Sequence, residues 1–454
     1  MKVHLIAIGG SAMHNLAIAL HEKGLIVSGS DDEIFEPSRT RLAQRQLLPA
    51  AEGWFPEKIT DDLDAVIVGM HARADNPELL AAQQKGLAIY SYPEYVHHQT
   101  QGKKRVVIGG SHGKTTTTSM ILHVLKACGV ESDYLVGAQL QGFDCMVRLS
   151  ETARIAVIEG DEYLSSPIDR RPKFHLYEPD VALITGIAWD HINVFPTFEN
   201  YVDQFRIFTE KITSNGTLIY CADDAEVRGV CEKAPAHVQT IAYRAHPHVV
   251  RDGVTYLLTP QGEVALKIFG EHNMQNLQGA MHVCLALGIF EKDFYAAIAS
   301  FQGASKRLEP VLEKPHSVVY KDFAHSPSKL KATTSAFKQQ YPNRRLIACM
   351  ELHTFSSLNK AFLSHYDQTM QLADEALVYF NPHTIAHKKL EPIEADEVRR
   401  AFGTDNVRVY TDAALLVNDL RAMQWQDTNL LLMTSGNFDG VDFAQLAQDL
   451  IGNQ

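Results

Sequence analysis

The chain has 454 residues, 45% of them hydrophobic and 21% charged, with a formal net charge of -12 and six cysteines in no C-x-x-C pair. That length implies roughly two to four domains with a substantial core; the acidic balance excludes a nucleic-acid protein built on a basic stripe, while local cations leave anionic substrates open. The cysteine pattern suits reduced thiols in the cytoplasm, and no apolar run is long enough to span a bilayer.

The N-terminal run Lys2-Val-His-Leu-Ile-Ala-Ile-Gly-Gly-Ser-Ala-Met13 predicts a strand, a glycine turn and a helix over about 13–23. A second strand, 25–28, ends at Gly29-Ser-Asp-Asp32. This is the start of a nucleotide-binding βαβ unit, with Gly9 and Gly10 in the turn and Ser30 and Asp31 where a ribose or base is held. A dinucleotide fingerprint asks for a third glycine near position 14, where His14 stands, so another nucleotide-diphosphate ligand fits as well. A strand at 64–68, a helix from Asn76-Pro77 and a last helix after Tyr90-Ser-Tyr-Pro93 lead to the polar joint Gln101-Gly-Lys-Lys104. The first segment is therefore 1–101.

The second segment, 102–304, opens on Val106-Val-Ile-Gly-Gly-Ser-His-Gly-Lys-Thr-Thr-Thr117: a β-branched strand, a glycine-rich turn, and a helix beginning at Lys114 and Thr115. That order suits a nucleoside triphosphate. Backbone N–H groups of Gly110, Ser111, His112 and Gly113 and the helix N-terminus at Lys114, Thr115 and Thr116 face phosphate. The lysine neutralises the β- and γ-phosphates, and the Thr115 hydroxyl can ligate Mg²⁺. Ile108 stands where the full P-loop pattern has its first glycine, so the loop is the shorter G-x-x-G-K-T form. A strand at 154–158 ends in Glu159-Gly-Asp-Glu162, and an acid at a strand tip beside a P-loop is the usual place for a metal-positioning carboxylate. A strand at 180–185 precedes Trp189-Asp-His191; a hairpin of 253–258 and 264–269 turns through Pro260-Gln-Gly262; a helix starts near Asn273 and carries Asn276.

The third segment, 305–454, alternates strands at 317–321, 346–351, 376–380, 407–410 and 429–433 with helices, the last after Val441. The reading is an α/β protein of three consecutive open α/β domains, the outer two Rossmann-like and the central one built on the P-loop.

Gly110-Ser-His-Gly-Lys-Thr-Thr116, Glu159-Gly-Asp-Glu162, Asp190-His191, Gly270-Glu-His-Asn273, Arg307-Leu-Glu309 and Asp322-Phe-Ala-His-Ser-Pro327 stand in one order. In that order the chain resembles the Mur ligases, ATP-dependent amide-forming enzymes of peptidoglycan synthesis, over essentially its whole length. Tyr163, the basic stretch Ile168-Asp-Arg-Arg-Pro-Lys-Phe174 and the turn Ser435-Gly-Asn-Phe-Asp-Gly440 are similar to the branch that joins UDP-N-acetylmuramate to the recycled tripeptide L-alanyl-γ-D-glutamyl-meso-diaminopimelate. The competing readings are the alanine-adding branch and, more remotely, a nucleotide-sensing binding protein. Two stretches depart from the family pattern. Thr185-Gly-Ile-Ala-Trp-Asp-His191 lacks an asparagine after the threonine, and Glu351-Leu-His-Thr-Phe355 lacks an arginine.

The resemblance implies ATP and Mg²⁺ as cofactors and UDP-N-acetylmuramate and a murein peptide as partners. It implies catalytic roles for Lys114, Glu159, His191 and Arg307, with Thr115, Glu159 and His191 holding metal. Asn273, Asn276, Arg307, Asp322 and His325 would lie by the nucleotide; Gly9, Gly10, Ser30, Asp31, His71 and Asn76 would line the UDP cleft. Asn273 equally suits a helix cap, and Arg170, Arg171 and Lys173 equally suit a solvated loop.

Overall fold

The computed structural model describes residues 1–140, 142–304, 307–403 and 406–453. The chain is α/β with several mostly parallel sheets. Its contacts gather into two units: Met1–Ile187, Thr197–Arg244 and Gly279–Phe294 form the first, and Ala188–Pro196, Ala245–Gln278 and Tyr295–Gln454 the second.

The first unit holds two sheets. One has four parallel strands in the order Ile26–Ser30, Lys2–Ile6, Ala65–Val68, Ile89–Ser91. The run Ala-Val-Ile-Val of Ala65–Val68 is buried at every position, as parallel strands covered on both faces require. The second sheet orders Gln239–Tyr243, Thr217–Cys221, Val181–Ile184, Lys104–Gly109, Ile155–Glu159, Ser132–Leu135 and Val147–Arg148. Only its last pair is antiparallel. Lys104–Gly109 lies between Ile155–Glu159 and Val181–Ile184, so the carboxyl ends of both neighbours emerge beside the glycine loop, where open α/β sheets bind ligands.

The second unit holds a six-stranded sheet ordered Glu309–Glu313, Val318–Asp322, Thr428–Met433, Arg345–Leu352, Glu375–Phe380, Val407–Tyr410, parallel except for its first pair. Alternate residues feed opposite cores. Leu346, Ala348 and Met350 pack with Phe337, Tyr366 and Phe402, whereas Ile347 and Cys349 pack with Tyr379, Trp425 and Leu446.

The expected hairpin is a three-stranded antiparallel sheet, His248–Arg251, Val254–Thr259 and Gly262–Leu266. Its unforeseen first turn is Asp252-Gly253, both residues at positive φ (50° and 74°), which a two-residue turn of the primed type demands. The helix expected near Asn273 begins at Glu271 and runs to Ala286. Among the described residues no helix is long and apolar enough to cross a membrane.

Candidate active site

The glycine loop leaves strand Lys104–Gly109 and enters helix Lys114–Ala127 through Gly113, whose φ of 80° lies in the left-handed region that glycine tolerates. No side chain caps this 14-residue helix. Its first amides therefore keep the dipole end open to an anion, so the cradle fits a phosphate chain. Lys114 Nζ is held by the Gly110 carbonyl and by Glu162 Oε2 at 2.6 Å. Burial works against this ammonium, yet Glu162, Asp161 and Glu159 together hold its pKa above the ordinary lysine value. Lys114 is thus a cation at the mouth of the helix.

Glu159, at the tip of strand Ile155–Glu159, is 8% exposed. Its Oε1 accepts the Thr115 hydroxyl at 2.9 Å and its Oε2 the Gly137 amide at 2.9 Å. Burial pushes its carboxyl above the ordinary range, against the Gly137 amide, Lys114 and the Thr115 hydroxyl. A carboxylate and a hydroxyl together are oxygen donors of the kind Mg²⁺ takes, usually one or two protein groups completed by phosphates.

Gly186 lies against the His112 ring. A Cβ there would run into the His112 imidazole. The Gly186 carbonyl accepts the Ser111 amide at 2.9 Å, and the Thr185 hydroxyl donates to the His112 carbonyl. The loop is thereby stitched to the end of strand Val181–Ile184, and the His112 ring fills the space a Cβ at Gly186 would take.

The basic stretch is an anchored strap. Arg171 pairs with Asp169 at 2.7 Å and with Glu94 of helix Tyr92–Thr100 at 3.1 Å, and Lys173 pairs with Asp161. Two of the three cations are thus engaged within the chain, and Arg170 is exposed.

Around the N-terminal turn, the Gly9 amide donates to Asp31 Oδ2 at 2.7 Å, and His71 Nδ1 faces Gly10, 3.4 Å from where a Cβ would stand. Burial pushes Asp31 up to about 6, with Asp32 adding to the rise and the Gly9 amide opposing it. Ser30 ends strand Ile26–Ser30 rather than following it; it is fully buried and its hydroxyl accepts Lys58 Nζ at 3.1 Å. Asn76 caps helix Pro77–Gln84, accepting the Glu78 and Leu79 amides at 2.9 and 3.2 Å. His14 turns inward, bonding the Gly10 carbonyl and Ser38 at 3.0 Å each.

The remaining expected residues belong to the second unit. His191 has a φ of 53°, a conformation uncommon outside glycine, and its amide bonds Asp190 at 2.8 Å. Burial would raise Asp190, but Lys329, His191 and His325 hold its carboxyl below the ordinary range. His325 is pushed down to about 3 by burial and Lys329, against Asp190 and its bond to the Phe323 carbonyl. Asp322 accepts the Leu308 and Ala324 amides, each at 2.7 Å, and so ties Arg307-Leu-Glu309 to its own strand end. The Arg307 guanidinium lies 4.6 Å over the Phe323 ring. Asn273 is inside the first turn of its helix rather than a cap, with Nδ2 donating to the Phe269 carbonyl at 2.8 Å; Asn276 follows one turn on, 7% exposed. Turn 434–440 wraps Glu351, which accepts the Phe438 amide at 2.9 Å.

Sequence reasoning gave no role to Glu162 or Tyr201. Glu162 closes the Glu159-Gly-Asp-Glu162 motif, and a second acid following a P-loop lysine is the signal that pointed to it; Tyr201 carries no local signal.

Residues 2–104 match the Mur ligase family catalytic domain and residues 108–284 the Mur ligase middle domain. The UDP-N-acetylmuramate–L-alanine ligase of Roseiflexus sp. (strain RS-1) is 29% identical over 489 residues, covering 100% of both chains. Its counterpart in Caldicellulosiruptor saccharolyticus is 32% identical over 393 residues, 83% of each chain. Among solved structures, a murein peptide ligase from Psychrobacter arcticus gives a TM-score of 0.64 at 24% identity, over 100% of this chain and 99% of that one. The UDP-N-acetylmuramate-alanine ligase of Thermotoga maritima gives 0.68 at 19% identity, over 97% and 96%. Both structures share the fold. The chain belongs to the Mur ligase family, the ATP-dependent amide ligases of peptidoglycan metabolism.

Proposed function

We propose that this chain activates the lactyl carboxylate of UDP-N-acetylmuramate with ATP and joins it to L-alanine. The observation that carries the ligase chemistry is the convergence of Lys114, Thr115 and Glu159 at one uncapped helix N-terminus. The choice of alanine is supported by the names of sequence relatives that span the whole chain. In the first step a carboxylate oxygen attacks the γ-phosphorus, ADP leaves and an acyl phosphate forms. In the second the amine attacks the acyl carbon, phosphate leaves and the amide forms. No protein nucleophile is required, so the side chains position groups and neutralise charge.

Lys114 would neutralise the β- and γ-phosphates, with loop residues 110–113 and Thr116 offering amides. Thr115 and Glu159 would hold Mg²⁺, whose chemistry here is neutralising phosphate charge. His191 is a proposed metal ligand on motif order alone, since Mg²⁺ prefers oxygen. Asn273, Asn276, Arg307, Asp322 and His325 are proposed nucleotide contacts. Gly9, Gly10, Asp31 and His71 are proposed contacts to the UDP moiety; Ser30 and Asn76 would act by shaping that turn. Residues 1–101, 102–304 and 305–454 are the corresponding proposed domains.

A second reading, the murein tripeptide as acceptor, is favoured by the 163–174 strap and its exposed Arg170, which could meet a peptide carboxylate. The test is phosphate release and product mass with ATP, Mg²⁺ and UDP-N-acetylmuramate, comparing L-alanine, tripeptide and no amine. Alanine-dependent release with the matching adduct supports the main reading. Turnover confined to the tripeptide replaces it with the second, and no amine-dependent product overturns both.

A further inference from the structure

Tyr201 lies on helix Phe198–Glu210, fully buried and 90 residues beyond the glycine loop in sequence. Its hydroxyl is 3.1 Å from Glu162 Oε1 and 2.9 Å from Ser111 Oγ. Glu162 is itself 1% exposed and grips Lys114 Nζ with its other oxygen. The phenol donates its hydrogen bond to Glu162, which leaves the phenol oxygen to accept from the Ser111 hydroxyl. The result is one directed run: Ser111 to Tyr201, Tyr201 to Glu162, and Lys114 to Glu162 from the other side. Each bond polarises the next in a site removed from water.

This arrangement links the Ser111 hydroxyl to Tyr201 directly and the Lys114 ammonium to it through Glu162. Ser111 stands in the loop's bend and Lys114 opens the helix. We infer that Tyr201 is a positioning residue for the nucleotide: it sets the Glu162 carboxylate, and through it the Lys114 ammonium, at the distance a triphosphate needs. It does not touch the reacting atoms. The inference rests on the ATP site proposed above and concerns only how that site is held.

Tyr201→Phe removes the hydroxyl and keeps the ring, which packs edge-on against Phe205 at 5.4 Å. In the full chain, KM and Kd for MgATP are expected to rise about 10-fold, as loss of a hydrogen bond to a charged group would give. KM for UDP-N-acetylmuramate and the melting temperature should stay close to the parent's. Glu162→Gln should raise the same constants, and the double variant should be no worse than the poorer single one, because both substitutions break one run. MgATP constants within twofold of the parent would overturn the inference. So would additive losses in the double variant, or a uniform rise of all KM values with a lower melting temperature. A parent chain that binds no MgATP would overturn the proposed function itself, and this inference with it.

Discussion

The Thr115 hydroxyl donates to Glu159 Oε1 across 2.9 Å, joining the first turn of the helix after the glycine loop to the tip of the neighbouring strand. Parallel pairing of Lys104–Gly109 with Ile155–Glu159 aligns Ile108 with Glu159 and brings the two groups to the same end of the sheet. Glu159→Gln keeps the shape and removes the charge. Its kcat is expected to fall about 10²–10³-fold, with the Mg²⁺ requirement moved to higher concentration. Unchanged Mg²⁺ dependence in a titration would remove Glu159 from the metal site.

Gly186 leaves room for the His112 ring. Gly186→Ala overfills that contact and should cost about 1–3 kcal/mol of stability, together with weaker nucleotide binding. Because the clash is with one ring, adding His112→Ala should restore most of the melting temperature without restoring nucleotide affinity. A Gly186→Ala chain as stable as the parent contradicts the packing account.

Asp31 gives a pH signature. Burial raises its carboxyl from 3.8 in the unfolded chain to about 6 in the folded one, with Asp32 adding to the rise. The folded state then binds the proton more tightly, so stability falls as pH climbs from 3.8 to about 6 and this contribution is flat above. Asp31→Asn should remove a change on the order of 1–2 kcal/mol between those limits, solvent screening reducing the full effect of the shift. Urea unfolding of both chains from pH 4 to 8 measures it, and parallel stability curves would refute it.

Arg171 ties the strap to helix Tyr92–Thr100 with a side chain 57% exposed. Arg171→Ala should therefore change global stability by less than about 1 kcal/mol. Local opening is the expected effect, seen as faster proteolytic cleavage within 163–174. Equal cleavage rates in parent and variant would show that backbone bonds such as Lys173 amide to Tyr163 carbonyl (2.9 Å) suffice.

What could be read from the sequence was what is local. Strand, glycine turn and helix from Val106 to Thr117 are contiguous, and the apolar runs of the parallel strands announce burial on both faces. The partners of those groups were not legible. Glu162 meets Lys114 across 48 residues and Tyr201 meets Ser111 across 90, through a sheet order that no local pattern encodes. Asn-Pro at 76–77 announces a helix start, and the amides of Glu78 and Leu79 occupy the Asn76 oxygen. Asp252-Gly253 is a local turn signal, and the strand before it, His248–Arg251, is only four residues long.

The central claim is that the sugar's carboxylate is activated by the γ-phosphate, and isotope transfer tests it most directly. UDP-N-acetylmuramate labelled with ¹⁸O in its lactyl carboxylate would be turned over with ATP, Mg²⁺ and the accepted amine, and the released phosphate analysed by mass. Attack of the carboxylate on phosphorus predicts one labelled oxygen in each phosphate released from doubly labelled substrate. Phosphate formed at the same rate without label would mean that water, not the carboxylate, receives the phosphoryl group, and the ligase account would fail.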